Sequence, residues 1–227
     1  MKEYNSIPKF IENKGLLGEQ VVAFNKLDGQ NFRVKYQTKG ANKNQFTLFG
    51  SRTQLVDETS ENFGNAVVFF KENYEDKLRN IVIENSGKHG IFNNVDEITF
   101  FFEWYGNNSF AGFHQQGDTM HLALIDVFIK KRGYIEPNTF ISMFYEKDME
   151  VPQVIYKGKL NMEFVNSIVA NDWTNDSCQY PNVKEGVVIK RTTLMKGQKL
   201  PMCKVKTNWW LTKLHNTFDE EMCKRLE

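Results

Sequence analysis

The stretch Phe24-Asn25-Lys26-Leu27-Asp28-Gly29-Gln30-Asn31-Phe32-Arg33 decides how the rest of the chain is read. Before it, Glu19-Gln-Val-Val-Ala-Phe-Asn reads as a strand, and Asn31-Phe-Arg-Val-Lys-Tyr after it reads as a second. Asp28-Gly29 is a turn signal between the two. Lys26 then stands at a strand end, where its side chain can point into a cleft. A surface hairpin with a nearby lysine has the same local pattern. The meaning of Lys26 therefore rests on the residues further out.

The chain has 227 residues, enough for one large domain or two small ones with a real core. Hydrophobic residues make up 41% and charged residues 25%, so a globular fold is expected. The 19 phenylalanines favour aromatic-rich sheets over an alanine-rich bundle. A net charge of +1 reveals no nucleic-acid partner through bulk electrostatics, so any basic surface must be a local cluster. Cys178, Cys203 and Cys223 form no CxxC pair and no zinc spacing, which points to reduced thiols. No apolar run reaches the ~18 residues of a membrane span, and Met-Lys-Glu-Tyr-Asn-Ser lacks a signal-peptide core. A monomer without a membrane partner is expected, in the cytoplasm or in a host cytoplasm if the source is viral.

Strands are expected near 19–27, 31–37, 45–50, 95–105, 119–130, 185–191 and 200–206. Phe63, Val67, Phe70, Tyr74 and Leu78 recur at three- and four-residue steps, which predicts a helix over 61–80. Further helices are expected from Pro137, over 159–170, and over 207–227. Strands interspersed with helices and joined by short turns argue for an α+β fold with antiparallel sheets.

Five more patterns follow Lys26: Ser51-Arg52, Phe102-Glu103, the strand around Asp126, Glu185-Gly-Val-Val-Ile-Lys190, and Lys204-Val-Lys206. Lys204 and Lys206 share one strand face, since residues i and i+2 point the same way. With Lys26-Leu-Asp-Gly, and in this order, the set resembles the covalent nucleotidyltransferases: ATP-dependent DNA and RNA ligases and mRNA capping enzymes. DNA ligases and capping enzymes usually place arginine two residues after the motif glycine. Here that residue is Asn31, as in the RNA ligase 2-like branch.

The resemblance implies a nucleotidyltransferase (ATP-grasp-like) domain of antiparallel sheets flanked by helices. It implies that Lys26 attacks the α-phosphorus of ATP to give a lysine–AMP phosphoramidate. AMP then passes to a 5′-phosphate RNA end, and a 3′-OH attacks to join the strands. A free lysine titrates near ~10.4, so the amine must be made neutral to attack, which calls for nearby positive charge. Lys204 and Lys206 would hold the α-phosphate as its charge grows. Glu103 would accept from the ribose 2′-OH, Arg52 would meet the ribose or an RNA phosphate, and Lys190 would grip phosphates. Glu185 and Asn31 would hold Mg²⁺ through water, with Mn²⁺ a substitute. Val188 or Val187 and Ile125 would sandwich the adenine, and Asn25 is counted with the nucleotide-binding residues. Relatives often carry an aromatic where Ile125 stands. Asp28 is expected to shape the turn.

Other features have plainer readings. The four histidines fit no metal spacing. Trp209-Trp210 is expected to pack on the core, with an RNA-stacking platform as the other reading. Lys130-Lys131-Arg132, and Lys196 with Lys199, are modest basic clusters. Relatives carry a second domain after the double-lysine motif, whereas 21 residues follow Lys206 here. A single adenylyltransferase domain over 1–227 is therefore expected, without an appended OB or helical domain. The competing readings are a GTP-using capping-type guanylyltransferase and a non-catalytic nucleotide- or RNA-binding module.

Overall fold

The computed structural model describes residues 1–193 and 201–227. Lys196 and Lys199, and the first residue of the strand expected over 200–206, lie outside the described residues. The chain forms two compact units. One comprises Met1–Asn5, Gly29–Asn108 and His114–Val151; the other comprises Ser6–Asp28, Ser109–Phe113 and Pro152–Glu227.

The first unit is built on a six-stranded antiparallel sheet. Its strands are β2 (Gln30–Gln37), β3 (Gln45–Gly50), β4 (Leu55–Val56), β5 (Glu97–Gly106), β6 (Met120–Ile129) and β7 (Gly133–Tyr134), in the order β4-β3-β2-β5-β6-β7. Pleating sends Phe32, Val34, Phe100, Phe102 and Trp104 to one face. There Phe70 and Tyr74, from the helical region, meet Phe102 at ring separations of 5.7 and 6.2 Å. Such aromatic pairs add about 0.5–1.5 kcal/mol beyond area burial. The opposite face carries Asn31, Phe101, Glu103 and Asp126.

The helix expected over 61–80 is two helices, α1 (Gly64–Asn73) and α2 (Glu75–Glu84), divided at Tyr74 with φ −123°. Tyr74 is pinned by its stack on Phe102 and by a hydroxyl that accepts from the Glu150 amide at 3.2 Å. Apolar spacing continues through the break, so the periodicity did not reveal it. The helix expected from Pro137 is α3 (Pro137–Phe144).

The second unit holds a four-stranded antiparallel sheet. It consists of β1 (Gln20–Lys26), β8 (Val154–Lys159), β9 (Gly186–Arg191) and β10 (Met202–Lys206), in the order β10-β9-β1-β8. Val21, Ala23, Val187, Ile189, Cys203 and Val205 cluster with Phe164, Val165 and Ile168 of α4 (Met162–Val169). Burial of each large aliphatic side chain contributes about 1.5–3 kcal/mol. β8 was not expected: its Gly158, at φ +154°, and its two lysines dilute the strand signal. β8 occupies the start of the helix expected over 159–170. The C-terminal stretch is likewise two helices, α5 (Asn208–Thr217) and α6 (Glu220–Leu226). Phe218 is extended between them, and Asp219 caps α6 by accepting from the Met222 amide at 2.8 Å.

β1 and β2 do not pair with each other across Asp28-Gly29. Both edges of each strand are taken: β1 by β8 and β9, β2 by β3 and β5. The turn therefore passes the chain from one sheet to the other.

Gly186 sits directly between Lys26 on β1 and Lys206 on β10. Its φ is +150°, and a Cβ would lie 2.0 Å from the Val205 carbonyl oxygen and 2.8 Å from Lys206 Cα. Only glycine lets the three strands close in this row. Gly186→Ala is expected to destabilise the protein by at least about 2 kcal/mol, combining backbone strain with the clash. Urea unfolding checks this, and a midpoint equal to wild type would contradict it.

Candidate active site

Strand alternation places Phe24, Lys26, Gly186, Val188, Lys190, Lys204 and Lys206 on one face of the second unit's sheet. The apolar residues between them face α4, so core packing fixes which side the lysines occupy. Glu185 enters just before β9 and is 3% exposed. Its Oε2 accepts from Lys26 Nζ at 2.9 Å, and its Oε1 lies 2.9 Å from Lys206 Nζ. One carboxylate thus joins two cations on separate strands.

The titration shifts follow from this crowding. Burial pushes the Glu185 carboxyl up, but Lys26 and Lys206 outweigh it and hold the group below the usual carboxylate range. Burial lowers Lys206, opposed chiefly by Glu185. Lys204 is lowered to about 8 by burial, then by the like charges of Lys206 and Lys26. Lys190 is 4% exposed, with its Nζ 5.2 Å from the centre of the Phe24 ring. Among the described residues of this region, Lys26, Lys190, Lys204 and Lys206 outnumber the carboxylates Glu185 and Asp28, a balance that favours an anion electrostatically.

Asp28 does more than shape a turn. Its carboxylate accepts from the amides of Ala111 and Gly112, at 2.8 and 2.7 Å, and from Trp210 Nε1 at 2.8 Å. Burial, then Glu185, raises it, while the hydrogen bonds from Trp210 and Ala111 act the other way. Trp210 is 2% exposed, as expected of a core residue, and Lys206 Nζ lies 3.5 Å from its ring centre. Lys206 also donates to the Leu226 carbonyl at 3.1 Å. The indole thus ties the residue two positions after Lys26 to Lys206. Sequence reasoning missed this link, because its partners are 182 residues apart; the Trp209-Trp210 pair next to the double-lysine motif was its only sequence signal.

Asn25 projects to the opposite side of β1 from Lys26 by alternation. Its Nδ2 donates to the Asn182 carbonyl at 3.0 Å, and its Oδ1 is buried without a hydrogen-bond partner.

In the first unit, Asn31 and Glu103 are directly opposed on β2 and β5. Asn31 donates to the Phe102 carbonyl at 3.2 Å, and its Oδ1 is buried without a hydrogen-bond partner. Ile125 is the extra residue of a β-bulge, since Phe101 pairs with Asp126 but Phe102 with Leu124. Bulges re-aim side chains next to active sites. Ile125 is half-buried, and Asp126 beside it accepts from the Tyr4 hydroxyl at 2.7 Å. Arg52 is exposed in the bend between β3 and β4.

Among the described residues, no group of three or more His, Cys, Asp or Glu side chains could hold a metal ion. Within the first unit Asn31 Oδ1 has acceptor capacity unspent, and within the second the lysines beside Glu185 hold its carboxyl low. Each is an oxygen of the kind a hard, well-hydrated cation takes.

A family model described as RNA ligase matches residues 19–206. The chain belongs to the RNA ligase family. The match spans every motif from Lys26 to Lys206. Solved structures of the Naegleria gruberi RNA ligase share the fold. A point mutant with AMP and Mn superposes with a TM-score of 0.60 at 15% identity, covering 94% of this chain and 58% of that one. Another mutant, with ATP and Mn, gives 0.59 at 14% over 94% and 57%. The same ligase with PPi gives 0.59 at 16% over 96% and 59%. The chain thus spans a little under three fifths of the length of these ligases. Comparison with curated protein sequences finds no match.

Lys204 carries a testable cost in this RNA ligase family member. Its folded value of about 8 lies below its ordinary 10.5. Below pH 8 both folded and unfolded chains carry the proton, and the fold bears the full penalty of the charge. Between 8 and about 10.4 the unfolded chain binds more protons, so stability rises with pH. Lys204→Met is expected to be more stable than wild type at pH 7 by about 1 kcal/mol after solvent screening. The gap should close toward pH 10. Urea melts at both pH values check this; a variant less stable than wild type at pH 7 would contradict it.

Proposed function

We propose that this protein is an ATP-dependent RNA ligase whose Lys26 becomes covalently adenylylated. The observation that carries the reading is the row Lys26, Gly186, Lys206, with Glu185 bridging the two ammonium groups. The family membership and the motif order point the same way. The Naegleria ligases that share the fold, with AMP, ATP, Mn or PPi, support the same reading.

An ammonium has no lone pair, so before attack Lys26 must give up its proton, to water or to the Glu185 carboxylate that it donates to. The amine then attacks the α-phosphorus; the N–P bond forms as the P–O bond to pyrophosphate breaks. The electron pair leaves with pyrophosphate. Lys204 and Lys206 gain most as charge develops on the α-phosphate, because both are partly desolvated in the resting site. Trp210 keeps Lys206 and Asp28 in place throughout.

A divalent cation, when bound, offsets phosphate charge. We assign Asn31 and Glu185 to hold it through water, with Mg²⁺ as the natural ion and Mn²⁺ as a substitute. Glu103 is assigned to the ribose 2′-OH, Ile125 and Val188 to the base, and Lys190 to ATP phosphates. Arg52 completes the set; Asn25, on the side of β1 away from Lys26 and with its Oδ1 buried, is left out of it. Residues 1–227 are read as one adenylyltransferase module. The later steps pass AMP to a 5′-phosphate RNA end, and a 3′-OH then displaces it to join the strands.

Incubation with α-labelled ATP or GTP and Mg²⁺ tests the proposal. Label from ATP alone is expected on the protein. Glu185→Ala should lose at least about 100-fold in labelling rate, since it both unpairs two lysines and removes a metal contact. Labelling from GTP in preference to ATP would favour the capping-type reading. No label from either would leave a nucleotide- or RNA-binding module.

A further inference from the structure

The second unit carries an aromatic and basic cluster that adenylylation does not use. Trp173 and Trp209 meet edge to face, with ring centres 5.2 Å apart and planes at 79°. Lys184 Nζ lies 4.7 Å from the Trp173 ring centre. Lys213 Nζ lies 5.3 Å from the Trp209 ring centre and 4.2 Å from that of Phe110. Both indoles are half-buried and both lysines are exposed. The Trp173 Nε1–H is buried without a hydrogen-bond acceptor.

The cluster adjoins the candidate active site along the chain. Lys184 precedes Glu185, and Trp209 precedes Trp210, whose indole supports Lys206. Trp210 shows what a core tryptophan looks like here: fully buried, with its N–H satisfied. Trp209 packs against the same cluster as Trp210, as expected, but is only half-buried, and so is Trp173, whose N–H is unsatisfied. Among the described residues, the ion pairs found do not include Lys184 or Lys213.

We propose that Trp173, Trp209, Lys184 and Lys213 bind the single-stranded end of an RNA, one base stacking on the indoles and the lysines pairing with flanking phosphates. The proposal rests on the RNA-joining reading above and gives it a docking place. Stacking on aromatic rings tolerates any base, which suits an enzyme that recognises ends. An exposed lysine resting on a half-buried indole is held weakly, so its ammonium can swing to a phosphate when a strand arrives. Two cations beside two half-exposed rings complement a polyanion with planar bases better than they complement an apolar or basic protein surface.

The test uses the full chain and a fluorescent, 5′-phosphorylated single-stranded oligoribonucleotide. Wild type, Trp209→Ala, Trp173→Ala and the double variant Lys184→Ala/Lys213→Ala are titrated at several salt concentrations. AMP transfer from ATP to each protein is measured in parallel without RNA. Each tryptophan variant should bind RNA at least about fivefold more weakly, the lower bound for one stacked base. The lysine variant should flatten the log–log salt slope by about 1.4, as two lost phosphate contacts on a single strand require. AMP transfer should stay within about twofold of wild type in all of them. The exposed lysine pair keeps the test decisive if a tryptophan variant does not fold. RNA affinity and salt slope unchanged in the variants would overturn the proposal, as would a wild type that takes up AMP but binds no RNA. A wild type that takes up no AMP would count against the ligase reading, with RNA binding still deciding the docking site.

Discussion

Glu185 holds two ammonium groups, each 2.9 Å away and each on a different strand; the carboxylate and Lys206 are buried and Lys26 is half-buried. A buried carboxylate alone is strongly unfavourable, and so is a buried lysine without a partner. Together they offset one another, and three strands are aligned to bring them together. Gly186 lets the strands close, α4 anchors their apolar face, and Trp210 covers Lys206 from the far side. Among the described residues the lysines here outnumber the carboxylates. Lys204 is lowered to about 8 first by burial and then by the like charges of Lys206 and Lys26, and a phosphate would relieve the second of these.

Asp28 extends this logic to the nucleophile turn. Its hydrogen bonds reach two backbone amides and one indole, so the turn after Lys26 is braced from within the second unit. Its carboxylate is itself raised by burial and by Glu185. The polar groups near Lys26 therefore behave as one coupled set, in which removing one partner leaves another buried charge exposed to the full desolvation cost.

Much of this was legible in the sequence. Alternation placed Lys204 and Lys206 on one strand face, and Glu185 and Lys190 were expected at the two ends of one strand; that Lys190 shares the face of the other two follows from the register between strands. The antiparallel α+β class and the strands carrying each motif followed from the same patterns. What escaped were features set by tertiary contact. The breaks at Tyr74 and Phe218 preserve apolar spacing, so periodicity reads through them. β8 is an edge strand with little apolar signal. The separation of β1 and β2 into different sheets depends on which edges other strands occupy. The Asp28–Trp210 bond joins distant residues, and the bulge at Ile125 is a matter of register, which single-strand patterns do not encode.

The central claim is that Lys26 is the residue that accepts AMP, with Glu185 and Lys206 set around it. Peptide mapping by tandem mass spectrometry, after incubation with ATP and Mg²⁺ and digestion under mildly basic conditions, tests it most directly. One adenylyl group on Lys26, absent from Lys26→Ala, is the predicted result. An adduct on Lys204, Lys206 or any other side chain, or an adduct that persists in Lys26→Ala, would contradict it.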